Sequence, residues 1–221
     1  MAPMLGYWKI RGLAQPIRLL LEYTGEEYQE KLYELGNAPD FNRDEWLNEK
    51  FSLGLSFPNL PYLIEGDFKL TQSSAILRYI AEKHDMGIGS SVEERAIVNM
   101  VADEIQDLRM SFARLCYSPD FIKLKDDYIS QLPSRLKLFS DFLGSKQWLI
   151  GEKLSYPDFI FYDILDGIKM LSPNCLNDFE NIKTYMIRFE KLDPIAKYLK
   201  SNKYIRKPLY SKAASFGGDT D

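Results

Sequence analysis

The apolar positions change period once along the chain, and the change divides it. In the first third, short apolar runs alternate with helical stretches. Met4-Leu5-Gly6-Tyr7-Trp8 reads as a strand and Lys9-Ile10-Arg11-Gly12 as a polar loop. Pro16 opens a helix through Tyr23 that stops at Gly25, and Tyr28 to Tyr33 reads as a half-exposed strand. A long polar stretch from Gly36 to Pro58 contains one helical piece, Asp44 to Phe51. The run from Phe57 to Ile64, the Gly66-Asp67 turn and the run from Phe68 to Thr71 predict strand, turn and strand. Pro61 excludes Leu60 from helical space, so the chain enters this strand extended. A cis Leu60–Pro61 bond would turn the N–H and C=O of Leu60 outward, toward a second peptide. Ser73 stands at an N-cap position before Ile76, Leu77 and Ile80, in a helix ending near His84.

Beyond Asp85 to Ser90, a linker by composition, strand signals almost vanish. Ser91-Val92-Glu93-Glu94 is a capping box opening a long helix with apolar positions at Ile97, Val101, Ile105, Leu108, Phe112 and Leu115. Ser118-Pro119-Asp120 interrupts, and a second long helix, bent at Pro133, runs toward Gly144. Ser155 to Asp158 is another capping box, with Leu154 and Phe159 spaced as a hydrophobic staple. The helix it opens is the most apolar of the chain and belongs at the centre of its domain. Shorter helices follow around Tyr185 and Ala196, then a tail with a loose end. The fold class predicted is an α/β, thioredoxin-like N-terminal domain of β-α-β-β-β-α order with a mixed four-stranded sheet, followed by an all-α domain. The boundaries are 1–84, a linker 85–90, and 91–221.

Composition narrows the chemistry. Of 221 residues, 28 are basic and 32 acidic, a formal net charge of −4, with no basic block, so nucleic acid is excluded as a partner. The N-terminus has no signal-peptide pattern and no apolar run reaches bilayer length, which predicts a soluble cytoplasmic protein without a membrane partner. Cys116 and Cys175 stand far apart, and the lone His84, on a solvated helix end, leaves no metal-ligand set. The 14 tyrosines make a phenolic hydroxyl the leading polar tool. The start of the Ser73 helix offers free N–H groups and partial positive charge, so with the Leu60–Pro61 ledge it suits a small peptide bearing a carboxylate. Taken singly, Pro61 and Ser73 read equally as a loop proline and an ordinary cap.

Met4 to Leu13, Ala38 to Phe51, Phe57 to Leu63, Leu70 to Ser73 and Leu115 to Pro119 together resemble the mu class of cytosolic glutathione S-transferases, and the tail and Asp107 to Met110 resemble its invertebrate, particularly flatworm, members. The resemblance implies that Tyr7 donates a hydrogen bond to the glutathione sulfur and stabilises the thiolate. It implies that Trp8, Leu13, Arg43, Trp46, Lys50, Asn59, Leu60, Pro61, Gln72 and Ser73 bind glutathione. Within that set Gln72 and Ser73 hold the γ-glutamyl carboxylate, and Asp107 reaches the ammonium across a homodimer. Ile10, Tyr117, Ser211 and Phe216, with Leu13, would form an apolar wall for the electrophile, and Phe57 and Arg78 would lie at the dimer interface. Arg109 stands where a histidine is usual. No cofactor is implied, since glutathione is a co-substrate. Read without the resemblance, Tyr7 could be a core tyrosine, Lys50 and Arg43 a solvated loop face, and Tyr117 interhelical packing.

The implied activity is conjugation of glutathione to hydrophobic electrophiles, a detoxification chemistry. The competing readings are a non-catalytic carrier or structural protein on the same scaffold, and a glutathione-dependent isomerase. A dithiol oxidoreductase is excluded by the absence of cysteine from the first domain.

Overall fold

The computed structural model describes residues 2–86 and 89–219. Gly87 and Ile88 of the predicted linker, and the last two residues of the tail, lie outside that range. Four strands, β1 (Met4–Trp8), β2 (Gln29–Tyr33), β3 (Tyr62–Glu65) and β4 (Phe68–Thr71), form one sheet in the order β2-β1-β3-β4. β2 runs parallel to β1, whereas β3 is antiparallel to both β1 and β4. The predicted mixed sheet is therefore present. Gly6 lies opposite Tyr62, and a Cβ there would come within 2.1 Å of the Tyr62 ring. Only glycine lets that tyrosine cross β1, where its hydroxyl meets that of Tyr33 at 2.9 Å.

The polar loop predicted after β1 is partly a 3-10 turn, Gly12–Ala14, leading into α1 (Gln15–Thr24). The helix predicted from Asp44 to Phe51 is one short turn, α2 (Asp44–Leu47), continued by turns, because Trp46 alone of these residues is buried and a single side chain is too little apolar face to hold a longer helix. Ser73 is not the N-cap of α3 (Ser73–Lys83) but its first residue. The N-cap is Gln72, whose φ of 74° makes a sharp corner out of β4 and whose side chain makes no cap bond. His84 is half-buried rather than freely solvated, with Nε2 2.6 Å from Glu26 Oε2.

The second part is helical: α4 (Val92–Tyr117), α5 (Phe121–Leu143), α6 (Tyr156–Leu171), α7 (Glu180–Glu190) and α8 (Asp193–Leu199). Both predicted capping boxes are formed, at Ser91–Glu94 and Ser155–Asp158. Ile97 was expected on the buried stripe of α4 but is exposed, and its neighbour Val98 is buried instead. The drift of a 3.6-residue period over so long a helix carries Ile97 off the stripe. Pro133 sits inside α5, where its missing N–H leaves one carbonyl of the preceding turn without its usual donor. α6 is almost wholly buried, with Leu154 and Phe159 both in the core as the staple requires. It packs on α1, α3 and α4, and so ties the helices to the sheet. Each large apolar side chain fully buried in this contact contributes about 1.5–3 kcal/mol, and α8 adds to it by packing on α1. Arg78 crosses the same boundary, with Nε 3.2 Å from Asn99 Oδ1 and 3.3 Å from the Tyr156 hydroxyl.

Candidate functional site

Sheet topology decides what can meet. The C-terminal ends of β1, β2 and β4 and the N-terminal end of β3 all lie at one edge, because β3 alone runs the other way. Gly6 faces Tyr62 and Tyr62 faces Thr71, so Tyr7, Pro61 and Gln72, each one residue further along, emerge side by side. Three of the sequence-predicted groups thus converge without any contact being assumed between their side chains.

Tyr7 is 6% exposed, and its hydroxyl accepts a hydrogen bond from Leu13 N–H at 2.9 Å. That bond occupies a lone pair and leaves the phenolic proton free to be donated elsewhere. Burial raises the Tyr7 hydroxyl above its ordinary pKa, while the Leu13 N–H and the charge of Arg109 pull the other way. The phenol stays neutral at physiological pH, as a donor must. Gly12 makes room for it: a Cβ at that residue would stand 2.5 Å from the Tyr7 hydroxyl, and its φ of +42° disfavours any side chain.

The Leu60–Pro61 bond is cis. The N–H of Leu60 is not free, however: it donates to Asn59 Oδ1 at 2.9 Å, so of the two outward groups expected there one is already engaged. Asn59 itself is exposed. At the mouth of the next loop Trp46 is 5% exposed, stacked on Tyr62 at 6.1 Å and edge-on to Tyr33 at 5.4 Å, and Trp8 meets Tyr33 at 6.2 Å. Lys50 is half-buried, its ammonium 5.3 Å from the Phe51 ring. Gln72 is exposed, and Ser73 opens α3 with first-turn N–H groups that have no partner within the helix.

The tail is not loose over its described length. Arg11 N–H and Gly12 N–H donate to the carbonyls of Pro208 and Leu209, each at 3.0 Å, and Ser215 N–H donates to Cys116 C=O at 2.8 Å. This straps the tail between the loop after β1 and the end of α4, and brings two predicted residues together. Tyr117 donates to Ser211 Oγ at 3.1 Å and accepts from Ser211 N–H at 3.0 Å. Phe216 stacks on Phe121 at 5.5 Å, while Ile10 is nearly buried and Leu13 half-buried.

A family model described as the glutathione S-transferase N-terminal domain matches residues 3–82, and one described as the glutathione S-transferase C-terminal domain matches residues 106–202. The chain belongs to the glutathione S-transferases. Within the family it is a mu-class protein: a Mus musculus protein named glutathione S-transferase Mu 4 is 54% identical over 213 residues, 96% of this chain and 97% of the relative. A Bos taurus protein named glutathione S-transferase Mu 1 is 52% identical over 217 residues, 98% of this chain and 99% of the relative. The crystal structure of the glutathione S-transferase Blo t 8 superposes with a TM-score of 0.88 at 36% identity, covering 97% of this chain and 99% of that one. A pi-class glutathione S-transferase from Onchocerca volvulus gives 0.85 at 28% identity, covering 97% and 100%.

In this transferase some predicted residues stay apart from the rest. Arg43 and Asp107 are exposed, on the loop before α2 and on α4, and Phe57 is 77% exposed. Trp46 N–H donates to Arg43 C=O at 3.0 Å, but among the described residues no side-chain hydrogen bond or ion pair joins these three to the other predicted positions. Among the described residues, no group of three or more His, Cys, Asp or Glu side chains could hold a metal ion. No helix among them is long and apolar enough to cross a membrane.

A buried charge cluster behind the transferase's Tyr7 escaped the sequence reading. Arg11 and Arg18 are 1% and 0% exposed, and Arg109 is 5% exposed. Arg11 donates to Asp163 Oδ1 at 2.6 Å and Asp166 Oδ2 at 2.7 Å, Arg18 to Glu30 at 2.5 Å and to Ile10 C=O at 2.8 Å. Arg109 donates to Asp163 Oδ2 at 3.1 Å and, through the same terminal nitrogen, to Gly12 C=O. The available signal was Asp163 and Asp166 within the most apolar helix, since buried carboxylates require cationic partners.

Proposed function

We propose that this protein catalyses attack of the glutathione thiolate on hydrophobic electrophiles, with Tyr7 donating the hydrogen bond that keeps the sulfur ionised. The observation that carries the reading is the Tyr7 hydroxyl, held by Leu13 N–H with its own proton unassigned, at the sheet edge shared with Pro61 and Gln72. A thiol of pKa ~8.5 is only a few per cent thiolate at neutral pH, and each unit of depression corresponds to about 1.4 kcal/mol. In this reading the γ-glutamyl carboxylate takes the free N–H groups of α3 at Gln72 and Ser73. The unusual backbone of Gln72 costs roughly 1–3 kcal/mol, a kind of strain that clusters at ligand sites. Leu60 exchanges its Asn59 bond for the cysteinyl backbone of glutathione, releasing Asn59 to join Trp46, Lys50 and Arg43 at the glycyl end. Trp8 and Leu13 flank the thiol. Ile10, Leu13, Tyr117, Ser211 and Phe216 line the electrophile side, where the paired hydroxyls of Tyr117 and Ser211 offer a proton donor to a leaving or adding oxygen.

Addition of glutathione and an activated aryl halide should give conjugate with saturation in both substrates, and bound glutathione should titrate as a thiol at least about one unit below 8.5. Absence of conjugate, with glutathione still bound, would instead favour a non-catalytic binding protein on this scaffold.

The same proposal takes residues 1–84 as the glutathione-binding domain, 85–90 as linker and 91–221 as the helical domain, in a cytoplasmic homodimer. Phe57, at 77% exposure between Ser56 and Pro58, has nothing to bury it within its own chain. A pocket in a second copy would explain it, and would bring Asp107 to the neighbouring site. Phe57→Ser should weaken self-association about 30-fold or more, as loss of an interface anchor does. Analytical ultracentrifugation over a dilution series reads this, and unchanged association would remove Phe57 from the interface.

A further inference from the structure

Tyr7 receives its hydrogen bond from one end of a peptide group whose other end is gripped by a buried cation. The Gly12–Leu13 peptide presents its N–H to the Tyr7 hydroxyl at 2.9 Å, and its C=O accepts from Arg109. Because carbonyl and N–H belong to one resonant unit, a guanidinium on the oxygen draws electron density from the nitrogen and makes the N–H a stronger donor. A stronger donor to the phenolic oxygen makes the phenol in turn a stronger donor to whatever faces its proton. The grip also fixes the direction of the N–H, so the Tyr7 proton is left only the opposite side. Gly12 N–H, bonded to Leu209 C=O at 3.0 Å, holds the same loop from the tail.

We propose that Arg109 is a positioning residue for Tyr7, acting through the Gly12–Leu13 peptide to direct and strengthen the hydrogen bond that Tyr7 gives to the substrate sulfur. The inference rests on the function proposed above and adds to it a residue assigned no part there. Arg109 is built to stay: Asp163 on α6 receives the second bond of the same nitrogen and is shared with Arg11, so the cation is partnered, buried and unable to swing away. Other ionisable groups act on Tyr7 besides Arg109, namely Tyr117 from α4 and Arg18 from α1. On the tail side Tyr210 faces Arg109 and Asp163. Arg18 bonds the carbonyl of Ile10 and does not touch the Gly12–Leu13 peptide, so Arg109 is the cation with a direct route to the phenol.

The test titrates the thiol of glutathione bound to purified full-length protein, followed by thiolate ultraviolet absorbance, alongside the pH profile of kcat/KM with an aryl halide. Arg109→Met should raise the apparent thiol pKa by about 0.5–1 unit, with roughly three- to tenfold less thiolate at neutral pH and glutathione affinity changed less than about threefold. Arg109→Lys, which keeps a charge and donor, should restore most of the shift. If Arg109→Met leaves Asp163 too poorly compensated to fold, Arg109→Met with Asp163→Asn removes the pair together, leaving Arg11 with Asp166, and should show the same shift. A wild-type titration in the methionine variant, or a lysine variant as impaired as the methionine one, overturns the proposal. A wild-type protein whose bound thiol titrates like free glutathione would overturn the thiolate mechanism itself, and the two failures are thereby distinct.

Discussion

Tyr7→Phe is expected to lower turnover at neutral pH roughly 10- to 30-fold while glutathione affinity stays within about twofold. The substitution removes one oxygen and no packing surface: the ring remains between β1 and the loop after it, where it is almost fully buried. In the proposed mode what disappears is a donor aimed at a charge that forms only when the thiol ionises, and because a thiol of pKa ~8.5 is about 3% thiolate at pH 7, its full ionisation is worth at most about 30-fold. In that mode binding is spread over the Leu60 ledge, the α3 start and the loop around Trp46, so a hydroxyl facing a neutral thiol adds little to it. The pH dependence separates this account from a structural one. If Tyr7 acts by depressing the thiol pKa, the wild-type rate levels off at lower pH, whereas the phenylalanine variant keeps rising toward ~8.5. The ratio between them should therefore shrink as pH rises. A ratio constant with pH, or an affinity falling in step with rate, would mean that Tyr7 holds the loop rather than the charge. The N–H of Leu13 loses its acceptor in this variant, and circular dichroism melting should register a loss of no more than about 1–2 kcal/mol.

How much of this was legible without coordinates differs by element. The succession of strands and helices along the chain, the cis ledge and both capping boxes follow from local rules: a proline, a turn, an S-x-x-E or S-x-x-D spacing. Their outcome is decided within a few residues, so the sequence carries it. The start of α3 misled because Ser73 looks like a cap, whereas the corner out of β4 is set by tertiary packing that forces Gln72 to positive φ. The α2 segment failed for the converse reason, a helical composition with too little to bury. The Arg109–Asp163–Arg11 cluster lies furthest from legibility. Its members are separated by 54 and 152 residues, and no local pattern pairs them. Only the oddity of acids in an apolar helix hinted that cations must arrive from elsewhere. Of the candidate site, the groups on contiguous motifs were visible one by one, but that Tyr117 would meet Ser211, or that the tail would strap the loop after β1, depends on a fold closed end to end.

The largest loss of stability should come from a residue far from the chemistry. Asp158, fully buried at the third position of α6, accepts from Leu149 N–H at 3.0 Å, from Ser155 N–H and Ser155 Oγ at 2.8 Å each, and from the Tyr185 hydroxyl at 3.2 Å. One carboxyl thereby ties α6 to the loop before it and to α7. Asp158→Ala leaves the Leu149 and Ser155 donors buried without an acceptor, while the Tyr185 hydroxyl keeps Asp158 C=O at 3.0 Å, and a cost of about 3–5 kcal/mol follows, or a melting temperature lower by roughly 10 °C for a chain of this size. Asp158→Asn keeps the shape but turns an amide N–H₂ toward backbone donors, so it should recover only part of that loss. The asparagine variant also tests the ionisation of the site. Burial raises the Asp158 pKa to about 6 against the pull of its hydrogen bonds. An acid whose folded pKa is raised stabilises the fold fully below its unfolded value and loses that contribution as pH rises through the folded one. Asparagine does not titrate, so the stability gap between the two proteins should be widest near pH 4, narrow until about pH 6, and then stay level. Urea unfolding at pH 4.5 and pH 7.5 measures both points. A gap that widens with pH would mean that the donors outweigh burial and hold the carboxylate ionised throughout.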